Sequence, residues 1–390
     1  MTLLPSHRQT VAALIIGGVM GCAHAQEKDP ERLKLKAEAT RSEDSNFLRA
    51  PESKAVADQI SNQTLDVNLA FPYGQQRLEF EGNLINSQHQ TLKQFDFVGH
   101  NYLAAWRWSL SPTVLGVLST KRTESLNSAA DSVDPSLRNK NTTKVDSLTA
   151  GYLLGGPWHL LAEYSRGSSI NERALLGVAD VRYDSYMAGF SYAPTNNNTL
   201  SYARRMDSGT NTSASTGTSG YSYNGHVLLV TYALTSNTSM KARLAYLEQR
   251  FTVDPKFDFS GVSGGLDATW RITGKTSLTG SWQRDLSSFQ TPDSTYAQTD
   301  VFSLVPNWQI RPTLSLGLKF SQSVRDALGN PNGTLSTRRD HTYESGLSIQ
   351  WQPRGYIRLR GSMTQAKRTS NAVDQDYSAN VVLLGAQFIY

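Results

Sequence analysis

The stretch VVLLGAQFIY, residues 381–390, sets Val382, Leu384, Ala386, Phe388 and Tyr390 on one face and Gly385 and Gln387 on the other. Side chains two apart share a face of a strand, so this is a strand with one wholly apolar side. The pattern recurs upstream. In GGLDATWRITG, residues 264–274, Leu266, Ala268, Trp270 and Ile272 oppose Asp267, Thr269 and Arg271. In TLSLGLKFSQS, residues 313–323, Leu314, Leu316, Leu318 and Phe320 oppose Ser315, Gly317, Lys319 and Ser321. YIRLRGSMTQ (356–365) and AAWRWSL (104–110) repeat the arrangement. Period-two alternation between turn residues is the strand signature, here with one greasy and one wet face per strand.

Short turn signals punctuate these runs at residues 72–74, 111–112, 155–157, 195–198, 235–237, 272–275, 311–313 and 352–355. Their spacing of about 40 residues matches one hairpin plus the opposite loop. Between them lie long polar stretches at 127–144, 207–220 and 325–340. Short turns at one end and long loops at the other describe an outer-membrane barrel, with periplasmic turns and extracellular loops. Two strands per short turn give sixteen, and the terminal run from about Tyr377 gives another. RLKLKAEATRS, residues 32–42, alternates Leu33, Leu35, Ala37 and Ala39 with charged residues and supplies the first strand; the alternative is an amphipathic periplasmic helix. The expectation is all-β: a single closed antiparallel transmembrane β-barrel of about 18 strands, with no second domain.

The opposite end of the chain reads as an export signal. His7 and Arg8 form a basic region, residues 11–20 (VAALIIGGVM) an apolar one, and residues 23–25 (AHA) a small-residue cleavage site between Ala25 and Gln26. Residues 1–25 are expected to be removed, and 26–390 to form the barrel domain, with 26–31 as a short periplasmic lead. Cys22 follows VMG, which also resembles a lipobox and would instead make that cysteine a lipidated N-terminus. With cleavage after Ala25 the mature chain has no cysteine, which removes disulfide and thiolate chemistry. The formal charge of +5 is too mild to argue for nucleic acid. The expected location is the outer membrane of a Gram-negative bacterium.

A closed barrel has no free edge, so the last strand must pair with the first. A final strand whose apolar face carries Phe388 and Tyr390 also looks like the signal recognised by the outer-membrane insertion machinery, although phenylalanine is the commoner last residue there.

Segments in the first third resemble a particular family. EDSNFLRAPE (43–52), YGQQRLEFEGNL (73–84), FDFVGHNYLAAWRWSLSP (95–112) and LRNKNT (137–142) are similar to parts of the EpsL-type outer-membrane barrels that accompany exosortase-linked exopolysaccharide loci. The family's acidic-Asn-apolar-Arg pattern is stretched here over Asp44, Ser45, Asn46, Phe47, Leu48 and Arg49. The resemblance implies a part in exporting an extracellular polysaccharide, with that polymer and periplasmic export components as partners beside the outer-membrane lipid. It implies no catalytic residues. Architecture alone suggests the alternative, a general diffusion porin for small, mainly anionic solutes.

The histidines after the signal, His89, His100, His159, His226 and His341, are scattered singly, and none has metal-ligand spacing. No nucleophile elbow or phosphate-binding glycine loop follows a strand, so no cofactor, metal or enzymatic activity is expected. The informative residues are charges on the wet faces: Arg77, Arg107, Arg205, Arg243, Arg271, Lys319, Arg358 and Arg360, offset by acids including Asp267 and Asp285. A basic side chain facing lipid near mid-membrane costs about 2–4 kcal/mol, so these residues are expected to line the lumen. There they either solvate the wall or form a basic constriction that selects anions. Trp106, Trp108, Trp158, Tyr192, Tyr232, Trp270, Trp308 and Trp351 flank the short turns and are assigned to the periplasmic aromatic girdle.

Overall fold

The computed structural model describes residues 33–127, 134–173, 179–195, 197–213, 217–291, 294–333 and 338–390. The cleavage residues Ala25 and Gln26, Cys22 and the lead 26–31 lie outside these segments.

Eighteen strands follow one another: β1 (Leu33–Asp44), β2 (Asp58–Tyr73), β3 (Gln76–His89), β4 (Phe97–Ser111), β5 (Val114–Leu126) and β6 (Lys140–Gly155). Next come β7 (Trp158–Asn171), β8 (Ala179–Thr195), β9 (Asn198–Ser213), β10 (Gly217–Thr235), β11 (Thr238–Phe251) and β12 (Phe259–Arg271). The ring is completed by β13 (Thr276–Thr291), β14 (Ser294–Arg311), β15 (Leu314–Leu328), β16 (Arg339–Arg354), β17 (Ile357–Ser370) and β18 (Tyr377–Ile389). Each strand pairs antiparallel with its sequence neighbours, and β18 pairs with β1 from Ile389 opposite Lys36 to Val381 opposite Asp44. Leu35 and Tyr390 exchange backbone hydrogen bonds of 2.8 Å in both directions, so pairing reaches the terminal residue. The run at 32–42 is therefore a strand, held by β2 on one side and β18 on the other.

Alternation sorts the side chains. Leu78, Leu84, Leu148, Leu244, Phe320, Leu347 and Leu384 are exposed, whereas most inward residues alternating with them are partly or fully buried. An apolar outer wall and a polar inner wall suit a barrel spanning a bilayer. The girdle tryptophans and tyrosines stand on the outer face beside the short turns. Trp108 lies over Gly116, where a Cβ would come 2.2 Å from the indole and 2.4 Å from the Thr149 carbonyl oxygen.

The strands are tilted, and one ladder row shows it. Arg77, Arg107, Val117, Thr149, Glu163, Met187, Arg205, Gly225 and Leu247 are successive direct partners on β3 to β11. The row begins just past a periplasmic turn and ends near the extracellular end of β11, which is the stagger that closure imposes.

Two expectations change. The polar stretch 207–220 is not a long loop, because β9 and β10 continue as a paired hairpin up to Ser213 opposite Gly217. Its threonines favour extended backbone, and polarity there reflects only projection beyond the hydrocarbon. The stretches 127–144 and 325–340 are likewise shortened, by β6 starting at Lys140 and β15 running to Leu328. The glycine-rich GVSGG at 261–265 marks a parting of strands. β12 and β13 pair only from Gly264 opposite Arg284 down to Arg271 opposite Ser277. Beyond that point β12 stays with β11 and β13 with β14, and Leu286 lies against Gly261, where a Cβ would meet its Cδ1 at 2.6 Å.

Candidate functional site

The inner wall has two unlike arcs. On β15, β17, β1, β3, β4 and β5, positions opposite the exposed apolar side chains carry Lys319, Arg358, Arg360, Lys34, Lys36, Arg77, Arg107 and Lys121. Several are neutralised. Arg77 and Arg107, directly opposite each other, both bind Glu79, with Arg107 Nε donating at 2.9 Å. Lys319 pairs with Glu344 at 2.6 Å, and Arg360 pairs with Glu38. Arg358 donates to Gln387 at 3.3 Å, and Gln387 donates to Glu38 at 3.0 Å. Lys36, Lys121 and, at the periplasmic end of β12, Arg271 make no ion pair or side-chain hydrogen bond among the described residues.

On β6 to β10 the inner wall carries few charges: small polar residues predominate, among them Ser147, Thr149, Ser165, Ser185, Ser191 and Ser201, around one apolar patch. Leu161, Met187 and Ala203 form a buried cluster, with Leu115, Val117 and Leu229 packed against it. The ionic groups on this arc are Glu163 and the pair Arg205–Asp207, closed at 2.8 Å, with the Arg205 guanidinium 5.5 Å from the centre of the Tyr223 ring. Beyond it, on β11 to β13, Arg243 reaches Asp285 at 3.3 Å, and Asp267 lies directly opposite Lys241.

Two packed clusters stand at the strand ends away from the short turns. Near β1 to β4, the Asp44 carboxylate accepts the backbone N–H of Asn46 at 2.9 Å and the Arg49 guanidinium at 2.8 Å. Asn46 donates to the carbonyls of Ala50 and Ser378 at 2.7 and 3.0 Å, tying the 45–57 loop to β18. Arg49 holds a left-handed backbone, φ 53°, which turns the chain at this point. The acidic-Asn-apolar-Arg pattern is thus one hydrogen-bonded unit. Beside it, Asp58 binds the buried His89 ring at 2.7 Å and accepts the Thr91 N–H at 2.8 Å, while Phe47 packs edge-on against His89 and Phe95. Across the ring, Val181, Tyr221, Leu247, Phe251, Phe257, Phe259 and Leu286 form a second buried cluster.

All ten charged residues singled out in the sequence, Arg77, Arg107, Arg205, Arg243, Arg271, Lys319, Arg358, Arg360, Asp267 and Asp285, lie on the inner face. They do not form a ring. They fall in separate sectors, and most are engaged by a neighbouring acid. Lys34, Lys36 and Lys121 are additional basic wall residues. The two β1 lysines were accessible from their alternation with Leu33 and Leu35, but Lys121 lies in a run polar on both sides, so only the register orients it. Phe388 and Tyr390 are exposed on the outer face of β18.

The chain matches no protein-family model and no curated protein sequence. Solved structures do resemble it. The outer membrane protein OpdK of Pseudomonas aeruginosa aligns with a TM-score of 0.54 at 10% identity, covering 92% of this chain and 99% of that one. The fold is that of an outer-membrane β-barrel protein. OccK2 (OpdF) of the same bacterium, solved in complex with glucuronate, aligns with a TM-score of 0.53 at 12% identity, over 92% of this chain and 97% of its own. OccAB4 of Acinetobacter baumannii aligns at 0.51 and 9% identity, over 94% and 100%.

Proposed function

We propose that this outer-membrane barrel is a diffusion porin for small anionic solutes, acting as a channel and not as an enzyme. The observation that carries the reading is the two-sided wall: Lys36, Lys121 and Arg271 stand outside ion pairs among the described residues, and the basic sector faces a sparsely charged one that holds the apolar patch of Leu161, Met187 and Ala203. Cations on a low-dielectric wall raise the local concentration of anions and repel cations. The half-buried Leu115, Val117 and Leu229, packed on that patch, supply apolar surface for a solute's carbon skeleton. A carboxylate attached to a compact, partly apolar body fits both. Glucuronate, present in OccK2, is a small organic anion of the charged class the basic arc would favour. Liposomes bearing the barrel should swell faster in glucuronate than in the similarly sized cation glucosamine. Equal rates, or a preference for glucosamine, would refute the proposal.

A second reading, a conduit for an acidic extracellular polysaccharide, is supported by the placement of the EpsL-like segments. They map to β1 to β6, and the Asp44–Asn46–Arg49 unit organises the mouth. Loss of surface polysaccharide in a deletion strain, restored by the wild-type gene, would favour this reading over the porin.

A further inference from the structure

The outer wall of β5 to β8 carries charge where a membrane protein ordinarily presents apolar surface. Three consecutive outward rows can be followed across these strands. The lowest is Leu118, Leu148, Tyr164 and Tyr186, each the direct partner of the next and each exposed. The next row outward is Thr120, Asp146, Arg166 and Asp184. The third is Arg122, Lys144, Ser168 and Arg182. Since β5 rises from a periplasmic turn at Val114, the third row lies on the extracellular side of the apolar belt.

The acids here are mostly committed. Glu124 accepts Arg122 and Lys140, each at 2.8 Å. Asp184 accepts Arg166 at 2.9 Å and the Tyr164 hydroxyl at 2.7 Å, and Asp146 lies opposite Arg166. Lys144 and Arg182 are exposed and make no hydrogen bond or ion pair among the described residues. Arg122 and Lys144 are directly opposite one another, and like charges in that position destabilise a strand pair. Arg182 stands two strands further on, about 10 Å from Lys144 at a strand spacing of about 4.8 Å. A dianionic group between these side chains would offset the repulsion.

The geometry points to a binding site for the phosphorylated headgroup of an outer-leaflet glycolipid. Lys144 and Arg182 hold the phosphate, Arg122 adds charge from the side, and the acyl chains lie on Leu118, Leu148, Tyr164 and Tyr186. Charge complementarity selects this occupant: the cations sit at headgroup depth directly above an apolar wall, which matches a molecule with phosphate above hydrocarbon.

The test is binding of bisphosphorylated lipid A, and of the same lipid after phosphate removal, to the detergent-purified barrel by native mass spectrometry. The double variant K144Q/R182Q is compared with K367Q, an outward cation on β17 away from the site, and heat-modifiable migration verifies that each has folded. Roughly fivefold per basic side chain near an anionic lipid surface predicts about thirtyfold weaker lipid A binding in the double variant. K367Q should bind as wild type does, and dephosphorylated lipid should bind all three proteins equally and weakly. Equal lipid A affinity in wild type and double variant, or in wild type for the two lipids, overturns the assignment. Displacement of lipid A by millimolar inorganic phosphate would assign the cations to a free anion and overturn it as well.

Discussion

The basic arc from β15 to β5 and the sparsely charged arc from β6 to β10 are made by the same alternating strands, yet their inward residues differ in kind. On the basic arc the charges are only partly cancelled, as Glu79 between Arg77 and Arg107 and Glu38 beside Arg360 show. On the sparsely charged arc the ionic groups are few, and Arg205 is tied to Asp207. The difference teaches that selectivity in such a wall depends on which cations remain outside ion pairs. A count of arginines overstates the field.

The comparison exists only in a closed ring, so the largest effect comes from breaking closure. Deleting Phe388 to Tyr390 removes the Leu35–Tyr390 bonds and the Phe388 contact with Tyr356. Both strands then expose ladder groups that hydrocarbon cannot satisfy, at several kcal/mol each. Heat-modifiable barrel should be absent from the outer-membrane fraction, and wild-type levels would show that closure does not need these residues.

Next in size is the removal of the cations outside ion pairs. The variant K36Q/K121Q/R271Q should assemble normally and lose most of any anion preference at 0.1 M salt. The effect should shrink at 1 M, as the Debye length falls from about 10 Å to about 3 Å. Replacing the engaged Arg77 and Lys319 with glutamine should shift selectivity less. If the two sets have equal effect, the distinction between engaged and unengaged cations fails.

E79Q sharpens the contrast in the other direction. It leaves Arg77 and Arg107 facing one another without their shared acid, so anion preference should rise while stability falls by about 1 kcal/mol. Reversal potentials and urea titration in detergent read the two effects separately.

The smallest effect lies in the loops. Arg138 donates to the Asp96 carbonyl at 2.7 Å and to Glu172 at 2.5 Å. The Arg138 hydrogen bond holds the Glu172 carboxyl below its usual range. A depressed carboxylate stabilises the fold at neutral pH, and that contribution disappears as pH falls through its folded-state pKa. R138A should lower stability at pH 7 by a few tenths of a kcal/mol to about 1 kcal/mol, and the gap should narrow in acid to the part due to the Asp96 carbonyl bond. A constant difference at every pH would exclude the pair as the cause.

Much of this architecture is legible in the sequence because period two is a local property. Leu266, Ala268 and Trp270 announce an outer face without knowledge of their neighbours, and the short turns set the strand count. What alternation cannot give is register. Glu79 meets Arg107 because β3 and β4 align Arg77 with Arg107, a fact set by both strands together. For the same reason the partial neutralisation of the basic residues, the inward placement of Lys121 and the parting of β12 from β13 were not readable. The 207–220 hairpin is hidden from a reading by polarity, which distinguishes hydrocarbon from water and says little about strand against loop once a ladder stands above the membrane.

The two-sided lumen is tested most directly by bi-ionic reversal potentials in planar bilayers, with potassium as the common cation and chloride, glucuronate or benzoate as the anion. The proposed porin predicts an anion-selective channel in which the permeability ratio of benzoate to glucuronate exceeds the ratio of their mobilities in free solution. Cation selectivity, or a permeability ratio equal to the mobility ratio, would contradict it.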